Sequence, residues 1–136
     1  MRTLRRSRTV LNATMHEFAI CRALLDQVGK VARDRQAERV TAIVVRIGPL
    51  AGVEPALLRS AYTLARAGTI AAEAQLTLET SAVRIRCLAC GAESDVQSNH
   101  LGCPHCGHWR TRVLSGEELM LASVELVTNT ETVGHV

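Results

Sequence analysis

The sequence predicts an α+β fold: two helices packed on one face of a small three-stranded mixed sheet, with a cysteine-rich module inserted before the last strand. Three observations carry this. Over two stretches the apolar residues recur at steps of three and four, as in helices with one buried stripe. Three other stretches are short, rich in β-branched residues and bounded by turn formers, as in strands. Two C-x2-C pairs lie between the second and third of those strands.

In order along the chain, residues 1–14 (MRTLRRSRTVLNAT) hold four arginines and no acid. Their composition fits a transit peptide, a solvated flexible arm, or translated sequence upstream of the true start. The last is the expectation, because a more regular pattern opens at Met15. From Phe18 the apolar positions Cys21, Leu24, Leu25, Val28, Val31 and Ala32 define a first helix at about 17–36. Cys21 falls on its buried stripe and reads as a core residue. Arg39–Ile47 is β-branched and is stopped by Gly48-Pro49, a strand end. Glu54-Pro55 opens a second helix, with Pro55 suited to the first turn. Its apolar face is Leu57, Leu58, Ala61, Tyr62, Leu64 and Ala65, and Gly68 is the expected stop. Ala74–Arg86 reads as one long strand, and Leu119–Val127 as the strand that closes the fold. The tail from Thr128 is polar and expected to fray.

Composition narrows the function. Hydrophobic residues make up 47% of the 136, which excludes a disordered chain. No stretch of about 18 apolar residues occurs, so no membrane helix is expected. The formal charge of +3 comes from the N-terminal arginines; residues 15–136 hold 12 bases against 13 acids. That balance argues against a nucleic-acid partner for the folded part. The basic start is not followed by an apolar run of the secretory kind. A reducing, cytoplasmic setting is therefore expected, where paired cysteines bind metal more often than they form disulfides.

Cys87-Leu88-Ala89-Cys90 and Cys103-Pro104-His105-Cys106 make C-x2-C-x12-C-x2-C. A two-residue gap lets a tight turn aim two thiolates at one ion, and two such turns complete a tetrahedron. Zn(II) takes that geometry in closed structural sites; four thiolates also suit iron. Gly91 and Gly107 follow the pairs where such turns need positive φ. The module is zinc-ribbon-like, spans 87–112, and would draw much of its folding free energy from the metal. His100, His105 and His108 read as solvated loop residues, and Trp109 as a packing residue of the module.

Thr14-Met15-His16-Glu17 has two readings. One is a capping box, with Thr14 as N-cap and Glu17 reaching back. The other needs Met15 to be the first residue: its free amine, the following backbone nitrogens and the His16 imidazole would then wrap Ni(II) or Cu(II) in a square plane. Glu54, in GVEP, reads as an acid favouring a helix N-terminus, with a supplementary nickel or partner contact as the alternative.

The arrangement as a whole resembles the HypA/HybF family of nickel metallochaperones. The resemblance rests on MHEFAICRALLDQV, RVTAIVVRIGPLAGVEPALL, the two CxxC pairs and GEELMLASVELV, and covers about 15–127. It implies a protein that is not an enzyme and that carries Ni(II) as transient cargo to a maturing [NiFe]-hydrogenase, in some organisms also to urease. It implies nickel ligation by His16, Glu17 and the amine of Met15, and structural Zn(II) held by Cys87, Cys90, Cys103 and Cys106. The implied partners are the GTPase HypB and the hydrogenase large-subunit precursor; urease accessory proteins and a homodimer are also admitted. No nucleic acid and no membrane are implied. The domains expected are an extension at 1–14, a nickel-binding α/β domain at 15–86 plus 113–128, the zinc module at 87–112 and a tail at 129–136. The rival class is a zinc-ribbon module that recognises protein or nucleic acid. A thiol redox enzyme, the third reading, would need one reactive pair rather than two matched ones.

Overall fold

A computed structural model of the chain describes residues 2–128 and 133–135, with side chains from 15 to 128. Helix α1 spans Arg2–Asp34. It begins well before the expected position 17, because nothing in 2–13 is a Gly or Pro that would break it. Thr14–Glu17 therefore lies inside the helix and is not a capping box. The helix ends with Gln36 at φ 54, a left-handed residue that turns the chain into β1, Ala37–Ile47. Val40, Ile43, Val45 and Ile47 are its buried side chains. Helix α2 is Pro55–Ala65, with Glu54 as N-cap and Arg66 as C-cap. It stops before Gly68, and the Tyr62 hydroxyl and the Arg66 guanidinium both donate to the Ala74 carbonyl, fixing the link into β2.

The expected long strand is two strands in two sheets: β2, Gln75–Thr80, and β3, Val83–Cys87. The buried positions explain the break. Leu76 is buried at an even number, Val83 and Ile85 at odd ones. A one-residue change of phase turns every side chain to the other face, so one strand cannot satisfy both halves. Two short strands that the sequence reading lacked follow, β4 (Glu93–Val96) and β5 (Thr111–Ser115). They flank β3 in antiparallel register, Arg86 facing Glu93 on one side and Arg112 on the other. Strand β6 is Leu119–Thr128.

The first sheet has the order β2-β1-β6-β7, so the expected three strands are joined by a fourth. That strand, β7 at Val133–His135, comes from the tail expected to fray, and pairs antiparallel with β6. Residues 129–132 of the tail lie outside the described residues.

The chain forms two compact units: one of Met1–Val45, Glu54–Thr77 and Leu121–Val136, the other of Arg46–Val53 and Leu78–Met120. In the first, Cys21, Leu25 and Val28 of α1 and Leu58 and Tyr62 of α2 converge on Ile43 and Val45, which share one face of β1. Both helices therefore cover the same side of the sheet. The void left among them is about 10 Å3, no more than the space of a single water. In the second unit Val83, Ile85, Cys87 and Cys103 are buried. This unit reaches beyond 87–112, because the knuckles stand on a sheet of their own.

Candidate metal sites

Strand β3 delivers Cys87 at its last position, and the turn after it places Cys90. The loop from β4 to β5 supplies Cys103 and Cys106 in a matching turn. The amides of Ala89 and Cys90 donate to the Cys87 sulfur, and those of His105 and Cys106 to the Cys103 sulfur. Each knuckle closes through a glycine, the Gly91 amide donating to the Cys87 carbonyl and the Gly107 amide to that of Cys103. Both glycines have positive φ, 77° and 75°, as the sequence reading required.

The four sulfurs lie within 4.8 Å of one another. Cys87 and Cys103 are buried; Cys90 and Cys106 are exposed. The donated Cys90 amide, with that of Ala89, pulls the Cys87 thiol down to about 6, and the Cys106 amide lowers Cys103. At Cys106 the His108 amide acts in the same direction, yet the Cys87 sulfur, burial and the remaining cysteines push it up to about 12. Four negative sulfurs therefore cannot share this space without a cation. Two prepared thiolates, Cys87 and Cys103, with the Cys90 and Cys106 sulfurs close by, fit Zn(II), which four protein sulfurs close to water. Among the described residues this is the only cluster of at least three metal-capable side chains.

The three histidines stay outside that shell. The His108 Nδ1 accepts from the Arg110 amide at 3.0 Å, so that nitrogen is already engaged. Trp109 does not pack into the module as expected. It is 78% exposed and stacks on the His108 ring at 6.0 Å between centroids.

At the other candidate site Met15 and His16 are exposed, whereas Glu17 is 2% exposed. The Glu54 amide donates to Glu17 Oε2 at 3.0 Å. The carboxylate thus sits where α2 begins, facing the positive end of its dipole. Glu54, the N-cap, makes no side-chain cap of its own. His16, Glu17 and Glu54 do not form a three-ligand cluster in this arrangement. The Glu17–Glu54 contact was missed by the sequence reading, although a signal existed: steps of four and three place Glu17 on the stripe of Cys21, Leu25 and Val28. Cys21 is buried as expected, its thiol donating to the Leu58 carbonyl, and burial with the nearby Glu17 charge pushes it up to about 11.

A small α+β protein with a closed tetrathiolate site and no second metal cluster among its described residues is the class these features define. A family model described as hydrogenase/urease nickel incorporation, metallochaperone, hypA, matches residues 15–126. The chain is 48% identical to the hydrogenase maturation factor HypA of Nitrosospira multiformis, over 84% of this chain and 99% of that one. It is 42% identical to the HypA of Aquifex aeolicus, over 82% and 97%. The solution structure of the Ni metallochaperone HypA from Helicobacter pylori superposes with a TM-score of 0.63 at 22% identity, over 83% of this chain and 98% of that one. A second solution structure of a HypA protein gives 0.65 at 23%, over 85% and 98%. The chain belongs to the HypA family of hydrogenase maturation factors. Members bind nickel and a structural zinc, and the four cysteines described here fit the zinc site. Among the described residues no helix is long and apolar enough to cross a membrane.

Proposed function

We propose that this chain is a nickel carrier, not a catalyst: it binds Ni(II) at the segment Met15-His16-Glu17 and passes it by ligand exchange to a maturing [NiFe]-hydrogenase, and to urease where one is present. The observation that carries this is the exposed His16 next to a Glu17 anchored at the start of α2. One exposed imidazole beside a carboxylate held by a backbone amide suits a cargo that must leave again. The zinc site is the scaffold. The partners are HypB and the hydrogenase large-subunit precursor, with urease accessory proteins in the second role, and the setting is cytoplasmic.

The start of the chain decides the geometry. Within α1 the amides of 15–17 are interior helix donors. Square-planar ligation through ionised amides would require that turn to unwind. In a chain beginning at Met15 those amides are among the first four, which have no partner within the helix, and the α-amine is free. We propose Met15 as the functional start; the family match from residue 15 supports it.

The test is a nickel titration of residues 1–136 and 15–136, each checked for bound zinc and, for the shorter, for retained Met15. Stoichiometric binding with a square-planar absorbance in the shorter chain alone is expected. His16→Ala should abolish it and leave zinc content unchanged. Nickel binding that survives that substitution would remove the site assignment, and no nickel binding by either zinc-loaded chain would leave a zinc-ribbon interaction module as the function.

A further inference from the structure

The second unit carries a surface that neither metal needs. Strand β5 is the edge of its sheet, and among the described residues no backbone group other than those of β3 pairs with it. Such an edge is a template for another strand. Its charges are unbalanced across the sheet. Strand β4 offers Glu93 and Asp95, and both are paired with Arg84 or Arg86 of β3. On the other side of β3, Arg112 stands directly opposite Arg86. Like charges in that position repel, and Arg112 has no ion-pair partner among the described residues.

The rows run acid, base, base, and end at open backbone. Beside that end the surface is apolar. Leu88, whose amide donates to the Arg110 carbonyl, is 63% exposed, and Trp109 lies under the Arg110 guanidinium at 5.6 Å. Leu114 is exposed two residues beyond Arg112, on the same side of the strand. An exposed tryptophan with flanking arginines is the composition of a binding hot spot.

We propose that the outer edge of β5 is a docking strip for an extended acidic segment of a partner protein, added as a fourth strand beside β5. Its main chain pairs with the β5 edge, its carboxylates answer Arg112 and Arg110, and its apolar residues meet Trp109 and Leu114. A second copy of this chain is the poorer occupant, because pairing two β5 edges brings arginines together. The proposal does not depend on the nickel reading.

Trp109 is the only tryptophan, so its fluorescence reports on this surface alone. The probe is an eight-residue capped peptide of alternating Val and Glu, titrated into the zinc-loaded full chain, with a Val-Lys peptide as control. A saturable change with the Glu peptide only is expected, weakening with salt and accompanied by slowed amide exchange at 111–115. Arg112→Glu should weaken the Glu peptide by at least about tenfold and favour the Lys peptide instead, with zinc content and β3–β4 protection retained as the check on folding. No saturable change, equal affinity of the variant, or protection appearing elsewhere overturns the proposal. So does concentration-dependent dimerisation that Arg112→Glu strengthens, because the edge would then be a self-interface.

Discussion

Glu17 shows that a proposed metal ligand can also be part of the fold. It lies inside α1 and is no cap; it is buried and accepts the Glu54 amide. Removing the carboxylate leaves that amide without its partner, which costs about 1–3 kcal/mol. Glu17→Ala should therefore lower stability by about that amount in chemical denaturation, whereas Glu17→Gln, which still offers an acceptor oxygen, should lose much less. The pair also separates the structural role from the nickel role. Nickel affinity that falls in Glu17→Gln at near-native stability assigns the carboxylate to the metal; unchanged affinity assigns it to the fold. Cys21, four residues on, is held protonated at neutral pH by burial and by that same charge. It is a core thiol.

At the scale of elements, the second unit depends on a close backbone crossing after β1. The Gly48 amide donates to the Glu118 carbonyl and the Leu50 amide to the Gly116 carbonyl. A methyl group on Gly48 would run into the backbone of Gly116 and Glu117. Backbone cannot move aside as a side-chain tip can, so Gly48→Ala should destabilise this unit by about 1–3 kcal/mol or more. The measurement is amide exchange, with protection lost in β3 and β5 before any is lost in α1. Equal loss in both units would mean that the crossing does not act locally. The division of Gln75–Cys87 into β2 and β3 follows the same logic. The change of burial phase between Leu76 and Val83 was visible in the sequence; reading it as one strand ignored it.

At the scale of the molecule, the two units have separate supports. The first closes an apolar core among α1, α2 and β1; the second is organised around four sulfurs. All four must be thiolate to hold zinc, so protons compete with the metal. The sign follows from Cys87, which folding pulls down to about 6. A group lowered on folding contributes stability that is complete above its unfolded value and is lost as pH falls through the folded one. Zinc content should thus decline as pH falls from the ordinary thiol value of 9.0 through about 6, taking the protection of β3, β4 and β5 with it. The amides of α1 and β1 should stay protected, and a strong chelator at neutral pH should reproduce the pattern. A single cooperative loss of both units on zinc removal would refute their independence.

The sequence by itself determined the metal-bearing turns, both helices and the strands β1 and β6, because these follow from local spacing: two residues between sulfurs, three or four between buried side chains, β-branched runs between turn formers. The order of those pieces also carried the family. Only the tertiary structure decided what depends on contacts between distant segments. The separation of 37 positions between Glu17 and Glu54 hides a hydrogen bond to a buried carboxylate. The sheet under the knuckles needs β4 and β5 to meet β3, and short polar strands carry little pattern of their own. Trp109 looked like core because it is large and apolar, but its surroundings leave it in solvent beside Arg110. Local periodicity reports which face of an element is buried; what that face meets is fixed by where the rest of the chain folds back.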